Sequence, residues 1–103
     1  MEYVGNIKHD DYLLENRKFI IYGTGVCGKK IYEYLKENGK ENNILFFCDK
    51  NLNIDKLFNI DVIFPEDAVK MPDVEFLVAG KYEYEMVGVL LKHNIRKIHL
   101  LSL

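Results

Sequence analysis

The chain has 103 residues, with 14 basic and 16 acidic side chains and a formal net charge of -2. That length suits one domain and leaves no room for a cofactor domain beside a separate substrate domain. A hydrophobic fraction of 49% excludes disorder, and no stretch approaches the ~18 uncharged apolar residues of a membrane span. The even charge balance, without a basic block, argues against a dedicated nucleic-acid binder. The start, Met-Glu-Tyr-Val-Gly-Asn, lacks the basic region and apolar run of a signal peptide. Two cysteines, Cys27 and Cys48, match neither a disulfide scaffold nor a zinc spacing. Together these features predict a cytoplasmic protein with free thiols.

Taken in chain order, Asp10 to Arg17 predicts a short opening helix, at about residues 9–17. Lys18 to Tyr22 is a β-branched and aromatic run, read as strand one. Gly23-Thr24-Gly25 breaks it, and Val26 to Asn38 follows with helical spacing. Cys27, Ile31, Tyr34 and Leu35 share one face of that helix. Asn38-Gly39 ends it, since both accept left-handed backbone angles. Ile44 to Cys48 is strand two; its continuous apolar character suits a strand covered on both faces. Ile60 to Phe64 is a shorter strand three, and Pro65-Glu66-Asp67-Ala68 opens a short helix. Val74 to Ala79 is strand four, stopped by Gly80. Tyr82 to Asn94 is the last helix, with Met86, Val87, Leu90 and Leu91 inward, and Lys97 to Leu101 is strand five.

Strands alternating with helices imply right-handed crossovers and a parallel sheet covered on both faces. The expected fold is α/β: a three-layer αβα Rossmann-like sandwich with a five-stranded parallel sheet in the order 3-2-1-4-5. It forms a single domain over 1–103, its core spanning 18–103. Such a sheet has edges at strands three and five. The apolar end Ile98 to Leu103 makes strand five a surface for edge pairing into a homodimer. The alternative is that Leu100 and Leu101 complete the domain's own core.

Gly23-Thr24-Gly25-Val26-Cys27-Gly28 matches G-x-G-x-x-G directly between a predicted strand and a predicted helix. Gly23 permits the tight turn, Gly25 lets a pyrophosphate approach the backbone, and Gly28 lets the helix pack closely on strand one. Amides at that helix start favour an anion. Asp49 ends strand two at about the spacing, ~20 residues, where an acid accepts hydrogen bonds from a ribose. Its charge repels a 2′-phosphate, which favours NAD over NADP; Lys50 beside it weakens that preference. The other reading is that the glycines only shape the turn and Asp49 only caps a loop. At the topological switch between strands one and four, Gly80 would leave room for a ligand, Lys81 could meet a phosphate and Tyr82 could stack on a ring. Alternatively, Gly80 ends a strand and Tyr82 starts a helix.

Other motifs are read as structural. Tyr32 and Lys36 have the Tyr-x-x-x-Lys spacing of a proton-transfer pair, but they follow the glycine loop directly and are read as helix surface. His9-Asp10-Asp11 reads as a helix cap. His93 and His99 are isolated in sequence. Cys27 starts a helix, where a thiolate is stabilised, but its apolar face favours burial. No acid-base or nucleophile-base pair accompanies the loop, so catalysis by this chain alone is not expected, and no metal site is predicted.

The run Phe19 to Ile31, followed by Phe47-Cys48-Asp49-Lys50-Asn51, resembles small Rossmann-like domains of bacterial surface-sugar biosynthesis proteins. These are the N-terminal domain of sialic-acid-type sugar O-acyltransferases, the Rossmann domain of membrane-linked nucleotide-sugar dehydratases and epimerases, and the C-terminal domain of nucleotide-sugar C-methyltransferases. The similarity covers about residues 18–101 and continues through Ile60-Asp61-Val62-Ile63 and Pro65-Glu66-Asp67. It implies a dinucleotide or nucleotide-sugar pocket at Gly23, Gly25, Gly28 and Asp49, serving a separate catalytic domain or protein. No hexapeptide repeat or dehydratase active-site segment is present, so no activity is implied. An interaction or regulatory domain that kept the fold and lost its ligand is the alternative expectation.

Overall fold

In a computed structural model of the chain, residues 2–6, 17–51 and 53–102 are described. The strands are β1 (Glu2–Asn6), β2 (Phe19–Tyr22), β3 (Ile44–Cys48), β4 (Lys56–Leu57), β5 (Ile60–Ile63), β6 (Glu75–Ala79) and β7 (Ile98–Ser102). The helices are α1 (Val26–Glu37), α2 (Pro65–Ala68) and α3 (Glu83–Lys92), and a 3-10 turn at Glu41–Asn43 precedes β3. The sheet order is β1-β7-β6-β2-β3-β5-β4. Six strands run parallel, and the two-residue β4 joins β5 antiparallel.

The five predicted strands therefore keep their expected relative order as β5-β3-β2-β6-β7, inside a larger sheet. Two corrections follow. The sheet is not five-stranded, and strand five is not an edge: β1 pairs with β7, Glu2 opposite His99 and Asn6 opposite Ser102. The surface expected to pair two copies through strand five is thus already occupied. The predicted opening helix and the His9-Asp10-Asp11 cap fall on residues outside the described ones, apart from Arg17, which is not helical.

Burial explains why β2, in the middle of the sheet, is apolar at every position. All four β2 residues are buried, because alternate side chains enter two separate cores. Phe19 and Ile21 join Ile31, Tyr32 and Leu35 of α1 on one face. Ile20 and Tyr22 join Ala68 of α2 and Val87 and Leu90 of α3 on the other. Leu101 is buried and Leu100 packs partly against the core, so both serve this domain's interior. Leu91, expected inward, is exposed. Among the described residues, no helix is long and apolar enough to cross a membrane.

Helix ends follow the left-handed residues. Gly39 (φ +71°) closes α1 with Gly39 N–H bonded to Lys36 O and Lys40 N–H to Leu35 O, at 3.0 and 2.7 Å. Asn94 (φ +63°) closes α3 in the same way, and the following Ile95 packs on the core. Between β4 and β5, Phe58 and Asn59 both have positive φ, as a two-residue hairpin turn of this hand requires. Phe58 is a bulky residue for that conformation. Its ring stacks on Tyr32 with centroids 4.1 Å apart, which offsets the strain. Tyr32 is therefore buried beneath the hairpin rather than lying on the helix surface, while Lys36 is exposed.

Candidate functional site

The C-terminal ends of β2, β3 and β6 open into a cleft of about 970 Å³. All eleven residues singled out in the sequence line it: Gly23, Thr24, Gly25, Val26, Cys27, Gly28, Asp49, Lys50, Gly80, Lys81 and Tyr82. Ala79 also lines it, at the end of β6. Tyr22, Asn51, Pro65, Glu66, Glu85, Met86 and Val89 complete the wall and were not anticipated. Pro65 and Glu66 follow a strand end just as the glycine loop does, and that position was the available signal. Glu85 and Val89 come from α3 through tertiary packing and had none.

The glycine loop is held by backbone geometry. Gly23 leaves β2 with φ +107°, and its N–H donates to Cys48 O at 2.7 Å. Gly25 precedes α1 in extended conformation, and a Cβ placed there would meet nothing within 4 Å. Its open side faces the cleft. A Cβ at Gly28 would overlap the Gly23 carbonyl and lie 3.6 Å from Ile21 Cγ2. Gly28 thus allows the helix to approach the turn and strand, as its place in the motif suggests. No side chain caps α1, and its first turn has no acid. The first helical bond is Lys29 N–H to Gly25 O at 3.0 Å, so the Val26, Cys27 and Gly28 amides have no acceptor within the helix.

Asp49 is not a free carboxylate. Its Oδ2 accepts from Thr24 N–H at 3.0 Å and from the Thr24 hydroxyl at 2.9 Å. Its Oδ1 accepts from Asn51 N–H at 3.0 Å. The loop-capping role weighed for this residue is therefore present in the structure.

On the opposite wall, Gly80 has φ +101°, and a Cβ there would lie 2.9 Å from Cys27 Sγ. The side of Gly80 where a Cβ would stand is taken by the Cys27 thiol, while Gly80 itself lines the cleft. Cys27 is half-buried, and both thiols are free. Tyr82 is 57% exposed, and Lys81 Nζ sits 5.1 Å from its ring centre. Met86, Val89 and the exposed Val26 add apolar surface.

Carboxylates Asp49, Glu66 and Glu85 share the cleft with Lys50 and Lys81. Lys50 and Glu85 form an exposed ion pair at 3.0 Å, whose hydrogen bond and charge raise the lysine pKa. Burial pushes the Tyr22 hydroxyl upward, and the negative charges of Cys48 (as thiolate), Asp49, Glu66 and Glu85 push it further. Tyr22 therefore stays protonated at neutral pH and offers the cleft a hydrogen-bond donor. Cys48 is fully buried, and its thiol is pushed up by burial and then by Asp49, so it is inert. Among the described residues, no group of three His, Cys, Asp or Glu side chains could hold a metal. Tyr32 and Lys36 do not line the cleft.

The arrangement can hold a flat or apolar group against Tyr82, Met86 and Val89, and an anion against the uncapped start of α1. Compared with protein-family models and with curated proteins, the sequence matches none.

Proposed function

We propose that the chain is a Rossmann-like nucleotide- or dinucleotide-binding module, with NAD favoured over NADP or a nucleotide-sugar. It serves a separate catalytic domain or protein in bacterial, cytoplasmic nucleotide-sugar or surface-polysaccharide metabolism. The carrying observation is the convergence of all eleven motif residues on one cleft at the ends of the parallel strands. Its volume of about 970 Å³ lies at the upper end of ligand pockets, which run to roughly 1,000 Å³. In open α/β sheets, this is where ligands bind. A dinucleotide would place its phosphates at Gly25 and the start of α1, and a ring beside Tyr82. The cofactor would supply hydride chemistry to the partner's substrate, while this chain binds and orients it.

A second reading, a domain that keeps the fold and has lost its ligand, draws on the occupied carboxylate of Asp49. Thermal unfolding separates the two. The melting point is measured with saturating NADH, NADPH, a UDP-sugar, coenzyme A and S-adenosylmethionine. Ligand at 100 times its dissociation constant adds about 2.7 kcal/mol, which raises the midpoint of a domain this size by on the order of 10 °C. A shift with NADH is expected. No shift with any of the five would sink the nucleotide reading and leave the ligand-free domain.

A further inference from the structure

We propose that Asp49 and Thr24 form a latch that sets the shape of the glycine loop, so that Asp49 acts on a bound nucleotide through the loop and not by gripping a ribose. This deepens the nucleotide reading, and its ligand-binding half rests on that reading. The latch joins positions 25 apart in sequence, one at the end of β3 and one between the first two loop glycines. Thr24 gives both of its donors, amide and hydroxyl, to a single oxygen of Asp49. The other oxygen turns back to the Asn51 amide. A ribose diol needs two carboxylate acceptor sites aimed at it, and here three protein donors already take three of about four such sites.

The same bonds fix what the loop can present. The Thr24 amide is spent on Asp49, so an anion is left with the amides from Gly25 onward. Gly23 N–H is bonded to Cys48 O beside the latch, so the loop is fastened to the end of β3 at two successive residues. Thr24 is therefore a positioning residue. Asp49 then gives the ribose no grip, and its part in favouring NAD over NADP is confined to the negative charge it carries at the cleft.

Two measurements test this. In the ligand-free protein, amide hydrogen exchange is followed at Thr24 and Asn51 in wild type, Asp49→Ala, Thr24→Val and Thr24→Ser. The latch predicts exchange at both amides about ten-fold faster in Asp49→Ala, faster exchange at Thr24 in Thr24→Val, and recovery of wild-type exchange in Thr24→Ser. Unchanged exchange in Asp49→Ala would overturn the latch without reference to any ligand. With NADH and NADPH as probes, Asp49→Ala, Thr24→Val and the double variant are compared by calorimetric titration. The latch predicts that Thr24→Val, which keeps the Asp49 charge, loses NADH and NADPH affinity in parallel, and that the double variant binds NADH no more weakly than Asp49→Ala alone. Loss of NADH affinity in Asp49→Ala, with Thr24→Val silent, would show a ribose grip and overturn the proposal. Failure of wild type to bind either probe counts against the nucleotide reading, while the exchange measurement still decides the latch.

Discussion

Glu75 and His99 meet at 2.6 Å inside the sheet, carboxylate to imidazole, at the opposite ends of the strands from the cleft. The same Glu75 oxygen accepts from Arg17 at 2.9 Å. His99 is fully buried, and the Glu75 side chain is only 10% exposed. The network ties the residue entering β2 to β6 and β7. Removing one member of a buried charged pair costs about 3–5 kcal/mol. Glu75→Ala is expected near the lower end, about 3 kcal/mol, because Arg17 is a quarter exposed and water relieves its lost partner. Urea denaturation measures this; a loss under about 1 kcal/mol would show that solvent replaces the network.

Gly28 and Gly25 should respond oppositely to alanine. At Gly28 the new methyl overlaps the Gly23 carbonyl, a backbone atom that can yield only by moving the turn. Gly28→Ala is expected to destabilise by about 1–3 kcal/mol, as overpacking does. At Gly25 the methyl meets open space at φ -81°, so Gly25→Ala should leave stability unchanged or raise it by about 0.5 kcal/mol. It should nevertheless weaken NADH binding, since the methyl intrudes where the phosphates approach. Denaturant melts and titration of both variants check the contrast.

Gly80→Ala combines a left-handed backbone with a clash at Cys27 Sγ. An expected loss of about 2 kcal/mol would come from both sources. Adding Cys27→Ala removes the sulfur but leaves the backbone strain. The double variant should therefore recover only part of the loss measured for Gly80→Ala in the Cys27 background. Full recovery in a melting experiment would show that φ at position 80 carries no cost.

Much of the architecture was legible locally. The run Phe19–Tyr22 and residues 76–79 are apolar because both faces of the sheet are covered there, whereas Leu45 in the Ile44 run is exposed, and helix ends were marked by Gly39 and Asn94. The missing parts depend on distant partners. Glu2–Asn6 contains Gly5 and only two good strand formers, Tyr3 and Val4, and it becomes a strand because β7 offers it a free edge. Asp49 reads as a ribose acceptor until Thr24 is seen folded back against it. Glu75 reads as an ordinary strand residue until Arg17, 58 positions away, arrives beside it.

Alkaline pH should expose the two buried acids of the central strands. The pKa values of Cys48 and Tyr22 lie above their ordinary values of 9.0 and 10.0, chiefly through burial. The folded state then holds protons that the unfolded state releases, so stability is full below pH 9 and falls as pH rises beyond it. Cys48 alone gives a slope of about 1.4 kcal/mol per pH unit above 9, and Tyr22 steepens the fall above 10. In Cys48→Ala the decline should begin about one pH unit later. Urea midpoints measured between pH 7 and 11 test this; a curve unchanged in Cys48→Ala would remove the thiol from the account.

Pairing of Glu2–Asn6 beside Ile98–Ser102 also imposes an order on assembly. As a ribosome delivers the chain, residues 2–6 emerge well before residues 98–102, the strand they pair with. The contact that completes that side of the sheet is thus among the longest-range in the fold and belongs to its late, slow steps. Cutting back residues 98–102 would leave the early strand stranded as well, so damage at one end of the sequence is felt at the other.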